Sequence, residues 1–203
     1  MPQPHLRSGP SFARMKIGLL GGSFNPAHEG HLEMSEYALK RLGLDQVWWL
    51  VSPQNPLKPV KGMAPLPERV DAARALADTA KHIVVTDLEK DLGTRFTVDT
   101  MKALKKRFRR TDFVWLMGAD NFRQLPRWRR WQQIFGLVPV AVFRRPDYAA
   151  GRGGGKPGTR FANAWHRVHL GKKLAKMKPP AWIVLDNRLN LQSATKIRAA
   201  RGK

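Results

Sequence analysis

The segment from Ile17 to His31 constrains this chain more than any other. The apolar run Ile17-Gly18-Leu19-Leu20 ends in two glycines, and Ser23-Phe24-Asn25-Pro26-Ala27 leads into His28-Glu29-Gly30-His31. An unbroken apolar run suits a buried strand, the glycines and proline suit a sharp turn, and apolar positions at helical spacing follow. A strand that turns directly into a helix puts both imidazoles in the helix's first turn. Unpaired N–H groups and the positive end of the dipole attract anions there. The segment therefore predicts a phosphate site at the apex of a strand–turn–helix unit. Neither G-x-G-x-x-G nor G-x-x-x-x-G-K-[ST] is present, so the site is neither a dinucleotide fingerprint nor a P-loop. The two histidines stand at i,i+3 rather than the i,i+4 of H-E-x-x-H. A metal pair and a pair of structural histidines are the alternatives, and no cysteine is available to join a metal set.

Strand and helix signals alternate along the rest of the chain. Strands are expected over 16–20, 46–51, 82–86, 112–117, 138–143 and 182–185, and helices over 31–42, 68–80 and 98–110. Leu32, Ser35, Leu39 and Leu42 lie on one side of the first helix, and Gly43 is placed to end it. Short helical turns are expected over 126–135, weak helix over 160–176, and a short last helix from Ser193. The Gly-rich basic stretch 147–158 reads as a linker, and 52–67, with five prolines, reads as a long functional loop. Strands alternating with helices predict an α/β fold: a Rossmann-like parallel sheet flanked by helices on both faces. Ligands of such sheets bind at the carboxyl ends of the strands, near a topological switch point. The turn after the first strand, the loop after the second and Gly118-Ala119-Asp120 all fall at such ends.

A second segment, Asn190-Leu191-Gln192-Ser193-Ala194-Thr195-Lys196-Ile197-Arg198, offers another anion-attracting terminus. Ser193 is the expected N-cap, Thr195 and Arg198 share a face, and arginine's planar fork matches phosphate. A capped surface helix with a solvated arginine is the alternative reading. The chain carries 37 Lys and Arg against 15 Asp and Glu, a net charge of +22. That balance points to anionic partners, either phosphorylated small molecules or a polyanion. Arginine and aromatic residues interleave over 123–130, as in nucleic-acid stacking platforms, yet no nucleic-acid-binding module is recognisable. There is no secretory h-region and no run long enough to cross a membrane, so a cytoplasmic location is expected. Residues 1–14 are expected to be a disordered tail ahead of a single domain over 15–203.

These two segments resemble the signatures G-x-F-x-P-x-H-x-G-H and S-[ST]-T-x-I-R of the H-x-G-H nucleotidyltransferase superfamily, with Ala194 inside the second. More closely, the chain resembles the bacterial nicotinate-nucleotide adenylyltransferases. Phe96-Thr97-Val98-Asp99-Thr100 is similar to that family's Y-T-x-x-T, and Met117-Gly118-Ala119-Asp120 contains its G-x-D. Pro126-Arg127-Trp128 matches its P-x-W, and Arg144-Arg145-Pro146 its R-R-P. The resemblance implies adenylyl transfer from ATP to nicotinate mononucleotide, giving deamido-NAD and pyrophosphate, with Mg²⁺ carried by the ATP phosphates and no metal held by the protein. It implies that His28 and His31 contact the α-phosphate region, and that Thr195 and Arg198 hold the β- and γ-phosphates beside Ser193. The turn Gly21, Gly22, Ser23 and Phe24 approaches the nucleotide through its backbone. The resemblance also implies that Gly118 and Asp120 line the adenosine side. By the same resemblance Trp128 would stack on the pyridine ring, Thr97 would lie beside the nicotinate, and Lys58 and Arg145 would stand on the mononucleotide side. The family's Pro-His-Lys element reads Pro56-Leu57-Lys58 here. The amide mononucleotide or another phosphorylated acceptor is the alternative substrate, and a basic nucleic-acid-binding protein the alternative class.

Overall fold

The computed structural model describes residues 12–54, 62–144 and 155–186. Among these residues seven strands form one sheet: β1 (Lys16–Gly22), β2 (Gln46–Val51), β3 (Ile83–Thr86), β4 (Asp112–Gly118), β5 (Val140–Phe143), β6 (Trp165–His166) and β7 (Trp182–Leu185). The order is β3-β2-β1-β4-β5-β7-β6, and every adjacent pair is parallel. The connection leaving β1 runs to β2 on one side, while β4 lies on the other. The β1–β4 boundary is therefore the switch point of the sheet.

Among the described residues seven α-helices accompany the sheet: α1 (Glu29–Leu42), α2 (Leu66–Leu76), α3 (Leu88–Asp91), α4 (Thr97–Arg107), α5 (Ala119–Gln124), α6 (Trp131–Leu137) and α7 (Gly155–Arg160). Side chains alternate across each strand, so each strand feeds two cores. Ile17, Leu19, Trp48, Leu50, Trp115 and Met117 face the core under α4, α5 and α6. Leu20, Val47, Trp49, Val51, Val114 and Leu116 face the core containing residues of α1 and α2. Burial on both faces explains why these strands read as continuous apolar runs. Trp48 and Trp49 are fully buried on opposite faces.

The first helix buries Met34, Ser35, Ala38 and Leu42, and Gly43 ends it in the left-handed conformation at φ 60°. The buried stripe lies beside the expected one, with Leu32 and Leu39 only partly covered. Other elements depart from expectation. α2 starts at Leu66, because Pro67 suits a helix's first turn, and it stops at Leu76. The short α3 has no sequence period that would mark it. The stretch 160–176 forms 3₁₀ turns, Ala162–Ala164 and Val168–Lys176, with β6 between them. The end of the Gly-rich stretch is helix α7 with Pro157 and Gly158 buried, not linker. Residues 12–14, expected in the tail, belong to the fold. Phe12 packs edge-on to Trp48 and Phe108 at 5.4 and 5.9 Å, and its carbonyl accepts from the Thr111 hydroxyl at 2.7 Å. The short last helix, and Lys58, Arg145, Ser193, Thr195 and Arg198, lie outside the described residues.

Candidate active site

β1 ends at Gly22, the chain turns through Ser23–Ala27, and α1 begins at Glu29 with His28 as its N-cap. The two imidazoles stand together at that terminus, their centroids 4.0 Å apart. The His28 backbone N–H donates to His31 Nδ1 at 3.3 Å. His31 thereby supplies the half of a capping box that Glu or Gln normally makes. An accepting Nδ1 carries no hydrogen, so the neutral ring holds its proton on Nε2.

The His31 ring is held from behind. Phe24 lies 4.7 Å from it and stacks on Trp49 at 5.2 Å. The Trp49 indole donates to the Ser35 hydroxyl at 2.7 Å, which donates in turn to the His31 carbonyl at 2.8 Å. Phe24 sits at φ 46°, in the left-handed region. That conformation costs a non-glycine residue roughly 1–2 kcal/mol, and the stacking of the buried ring helps to hold it. The Phe24 ring therefore supports His31, while its backbone forms the turn.

Arg69 clamps the strand ends. Only 3% exposed, its guanidinium donates to the carbonyls of Ser23 (2.6 Å), Ser52 (2.8 Å), Pro53 (3.0 Å) and Ala64 (2.9 Å). It joins the turn after β1 to the loop after β2, and burial pushes its pKa down. Asn25 adds a second tie, donating to the Gly62 carbonyl at 3.0 Å and accepting from the Ala64 N–H at 3.2 Å.

A cavity of about 330 Å³ opens at the carboxyl ends of β1, β2 and β4. Gly21, Gly22, Ser23, Thr97 and Trp128 line it, bringing together five of the expected site residues. A Cβ on Gly21 would run into the Trp115 ring, so the glycine makes room for that indole. Trp128 is half-buried and edge-on to Trp115, with centroids 6.4 Å apart. Gly118 ends β4 and is the N-cap of α5, while Asp120 sits in that helix's first turn. Asn121, rather than Asp120, reaches the cavity lining.

Glu89 also lines the cavity and is 8% exposed. Burial pushes its carboxyl up, against the opposing pull of hydrogen bonds to Thr100 and Ser52. The Thr100 hydroxyl lies 2.9 Å from Glu89 Oε1. Arg144 is engaged elsewhere. Its Nε pairs with Asp186 at 3.0 Å, and the Tyr37 hydroxyl donates to the Asp186 carbonyl at 2.8 Å, tying β5, β7 and α1. Sequence reasoning missed Arg69, Glu89, Trp115 and Asn121. Nothing local marks them, since each gains its role from a partner distant in the chain.

The profile of the cytidylyltransferase-like family matches residues 19–200. The chain belongs to that family. Within the cytidylyltransferase-like proteins it groups with the nicotinate-nucleotide adenylyltransferases. It is 48% identical over 188 residues to a probable nicotinate-nucleotide adenylyltransferase of Parvibaculum lavamentivorans, covering 93% of each chain. It is 50% identical to the probable enzyme of Cereibacter sphaeroides, covering 91% of this chain and 97% of that one. Among solved structures, the fold is similar to Plasmodium falciparum nicotinic acid mononucleotide adenylyltransferase complexed with NaAD. The TM-score is 0.69 at 14% identity, over 91% of this chain and 83% of that one.

Proposed function

We propose that this protein transfers the adenylyl group of MgATP to nicotinate mononucleotide, giving deamido-NAD and pyrophosphate. One observation carries the reading. The paired histidines at the α1 N-terminus and the cavity holding Trp128 and Thr97 both stand at the carboxyl end of the sheet, next to the β1–β4 switch point. The 48% identity to the Parvibaculum lavamentivorans protein, probable in that activity, supports it.

In this reaction a phosphate oxygen of the mononucleotide bonds to the α-phosphorus of ATP. The bond from that phosphorus to the oxygen bridging to the β-phosphate breaks, and the bridging oxygen leaves with pyrophosphate. The protein contributes position and positive charge, as in phosphoryl transfer generally. His31 donates from Nε2 to the reacting phosphates beside His28, where the α1 dipole adds its own field. Gly21 and Gly22 bring backbone close to the nucleotide, Gly118 and Asp120 border adenosine, and Trp128 stacks on pyridine over Thr97. Ser193, Thr195 and Arg198 take the β- and γ-phosphates, and Lys58 and Arg145 the mononucleotide. Mg²⁺ arrives with ATP and screens the phosphate charge. The reaction belongs to NAD biosynthesis and, in this reading, to the cytoplasm. Among the described residues no helix is long and apolar enough to cross a membrane.

The test is pyrophosphate release from MgATP with nicotinate mononucleotide, nicotinamide mononucleotide and phosphopantetheine side by side. Preference for nicotinate mononucleotide is expected. Preference for phosphopantetheine would remove the roles of Trp128 and Thr97, and no release with any acceptor would overturn the activity.

A further inference from the structure

Among the described residues Glu89 is the one carboxyl in the cavity lining, which also holds the exposed Arg95, Arg127 and Arg129. Its partners are two hydroxyls, those of Ser52 and Thr100. Thr100, 1% exposed, donates to Oε1 at 2.9 Å. A hydroxyl has one proton, so in the 3.0 Å contact between Thr94 and Thr100 it is Thr94 that donates. The chain is folded locally to build this cluster. α3 ends in a Schellman turn with Gly93 at φ 61°; the Gly93 N–H donates to the Lys90 carbonyl at 3.1 Å and the Thr94 N–H to the Glu89 carbonyl at 3.0 Å. Thr94 is thereby returned to the side of Glu89. At the start of α4 the Phe96 carbonyl accepts from the N–H groups of Asp99 and Thr100 at 2.9 and 3.0 Å, which fixes Thr100 one turn along from Phe96 and Thr97. Ser52 is held through its backbone, its N–H donating to the Gly22 carbonyl at 2.9 Å and its carbonyl accepting from Arg69 at 2.8 Å. The Glu89 carboxyl therefore links two parts of the cavity wall, Ser52 after β2 and the first turn of α4 with Phe96 and Thr97.

We propose that Glu89 is a positioning residue: its carboxyl locks Ser52 to the first turn of α4 and so fixes the wall that receives the mononucleotide; this rests on the adenylyltransferase reading above. Both partners are neutral hydroxyls, so what Glu89 supplies is a pair of oxygens rather than a charge. A glutamine keeps one acceptor oxygen for Thr100, and its NH₂ can donate to the Ser52 hydroxyl, which accepts as readily as it donates. An alanine leaves the buried Thr100 hydroxyl without its acceptor and frees Ser52 from α4. The effect is confined to one side of the cavity. His31 stands on α1 and is held by Phe24 and Trp49, so loosening the α4 wall displaces the mononucleotide and leaves the triphosphate side in place.

The experiment measures steady-state pyrophosphate release, each substrate varied in turn, for the wild type, Glu89→Ala, Glu89→Gln, Thr100→Val, Thr100→Ser and the double variant E89A/T100V. In Glu89→Ala and Thr100→Val the KM for nicotinate mononucleotide is expected to rise about tenfold, the scale of one hydrogen bond lost from a buried site, with the KM for ATP nearly unchanged. Glu89→Gln and Thr100→Ser keep the acceptor and the donor and stay close to the wild type. The double variant loses no more than Glu89→Ala alone, because both changes break the same link. Equal rises in both KM values would overturn the proposal by assigning Glu89 to the fold as a whole. A mononucleotide KM unchanged in Glu89→Ala and Thr100→Val would overturn it, as would a Glu89→Gln enzyme as impaired as Glu89→Ala, or additive losses in the double variant. If Glu89→Ala does not fold, the contrast between Thr100→Val and Thr100→Ser decides. A wild type inactive with nicotinate mononucleotide fails differently, removing the adenylyltransferase reading and the proposal with it.

Discussion

His31 shows how one side chain acquires direction. Its Nδ1 accepts from the His28 N–H at 3.3 Å, and Phe24 and Trp49 enclose the ring. In the proposed reaction the Nε2 proton is the one that faces the reacting phosphates. His31→Ala removes a positioned donor to developing charge, so kcat is expected to fall by roughly 10²–10³ with little change in fold. Steady-state pyrophosphate release checks this, and near-wild-type kcat would remove His31 from the chemistry. In its proposed role Trp128 acts differently, since stacking on the pyridine ring is equal in ground and transition states. Trp128→Ala is expected to raise the mononucleotide KM and leave the ATP KM and kcat nearly unchanged. A defect confined to ATP would refute the stacking role. The histidine pair was legible in the sequence because the strand, the turn and the helix are all local. Glu89 was not, because its meaning depends on Ser52 and Thr100, which arrive from the loop after β2 and from α4.

At the scale of elements, the site depends on how the ends of β1 and β2 are held. β1 pairs with β2 through Gly22↔Val51, and beyond that register the ladder gives way to turns. The Arg69 guanidinium of α2 replaces it, donating to carbonyls from three segments. Arg69→Ala leaves four acceptors without their charged donor. The expected loss is about 3 kcal/mol, a fall in Tm of roughly 6–12 °C for a chain of this size. Thermal unfolding checks it, and an unchanged Tm would show that water replaces the clamp. Arg69→Lys recovers only part of the loss, because an ammonium cannot span four carbonyls in a plane. Periodicity predicted α1 and β2 well, with Gly43 capping the helix and residues 46–51 matching the strand. It failed for 160–176, where 3₁₀ turns and a two-residue edge strand owe their shape to packing on β7 rather than to any repeat.

Over the whole molecule, folding brings a buried carboxyl into a cavity of otherwise positive character. Burial raises the Glu89 pKa in the folded chain above its unfolded value. Its contribution to stability is therefore full below the ordinary glutamate range and is lost as pH rises through the raised native value. Glu89→Gln removes this titration. The stability of the wild type relative to Glu89→Gln is expected to decline across that window, as measured by urea unfolding at several pH values. A difference independent of pH would show that Glu89 does not titrate between the two states. The net charge of +22 was visible at once, yet composition could not say where it acts. The sequence alone determined the alternation of strands and helices, the glycine turn into α1 and the histidine pair, because these depend on residues within a few positions of one another. Only the tertiary structure decided the Arg69 clamp, the Trp115 ring beneath Gly21 and the cavity shared by Trp128, Thr97 and three arginines. Those contacts join the ends of different strands and the helices between them, and a parallel sheet brings such residues together only once every crossover has closed.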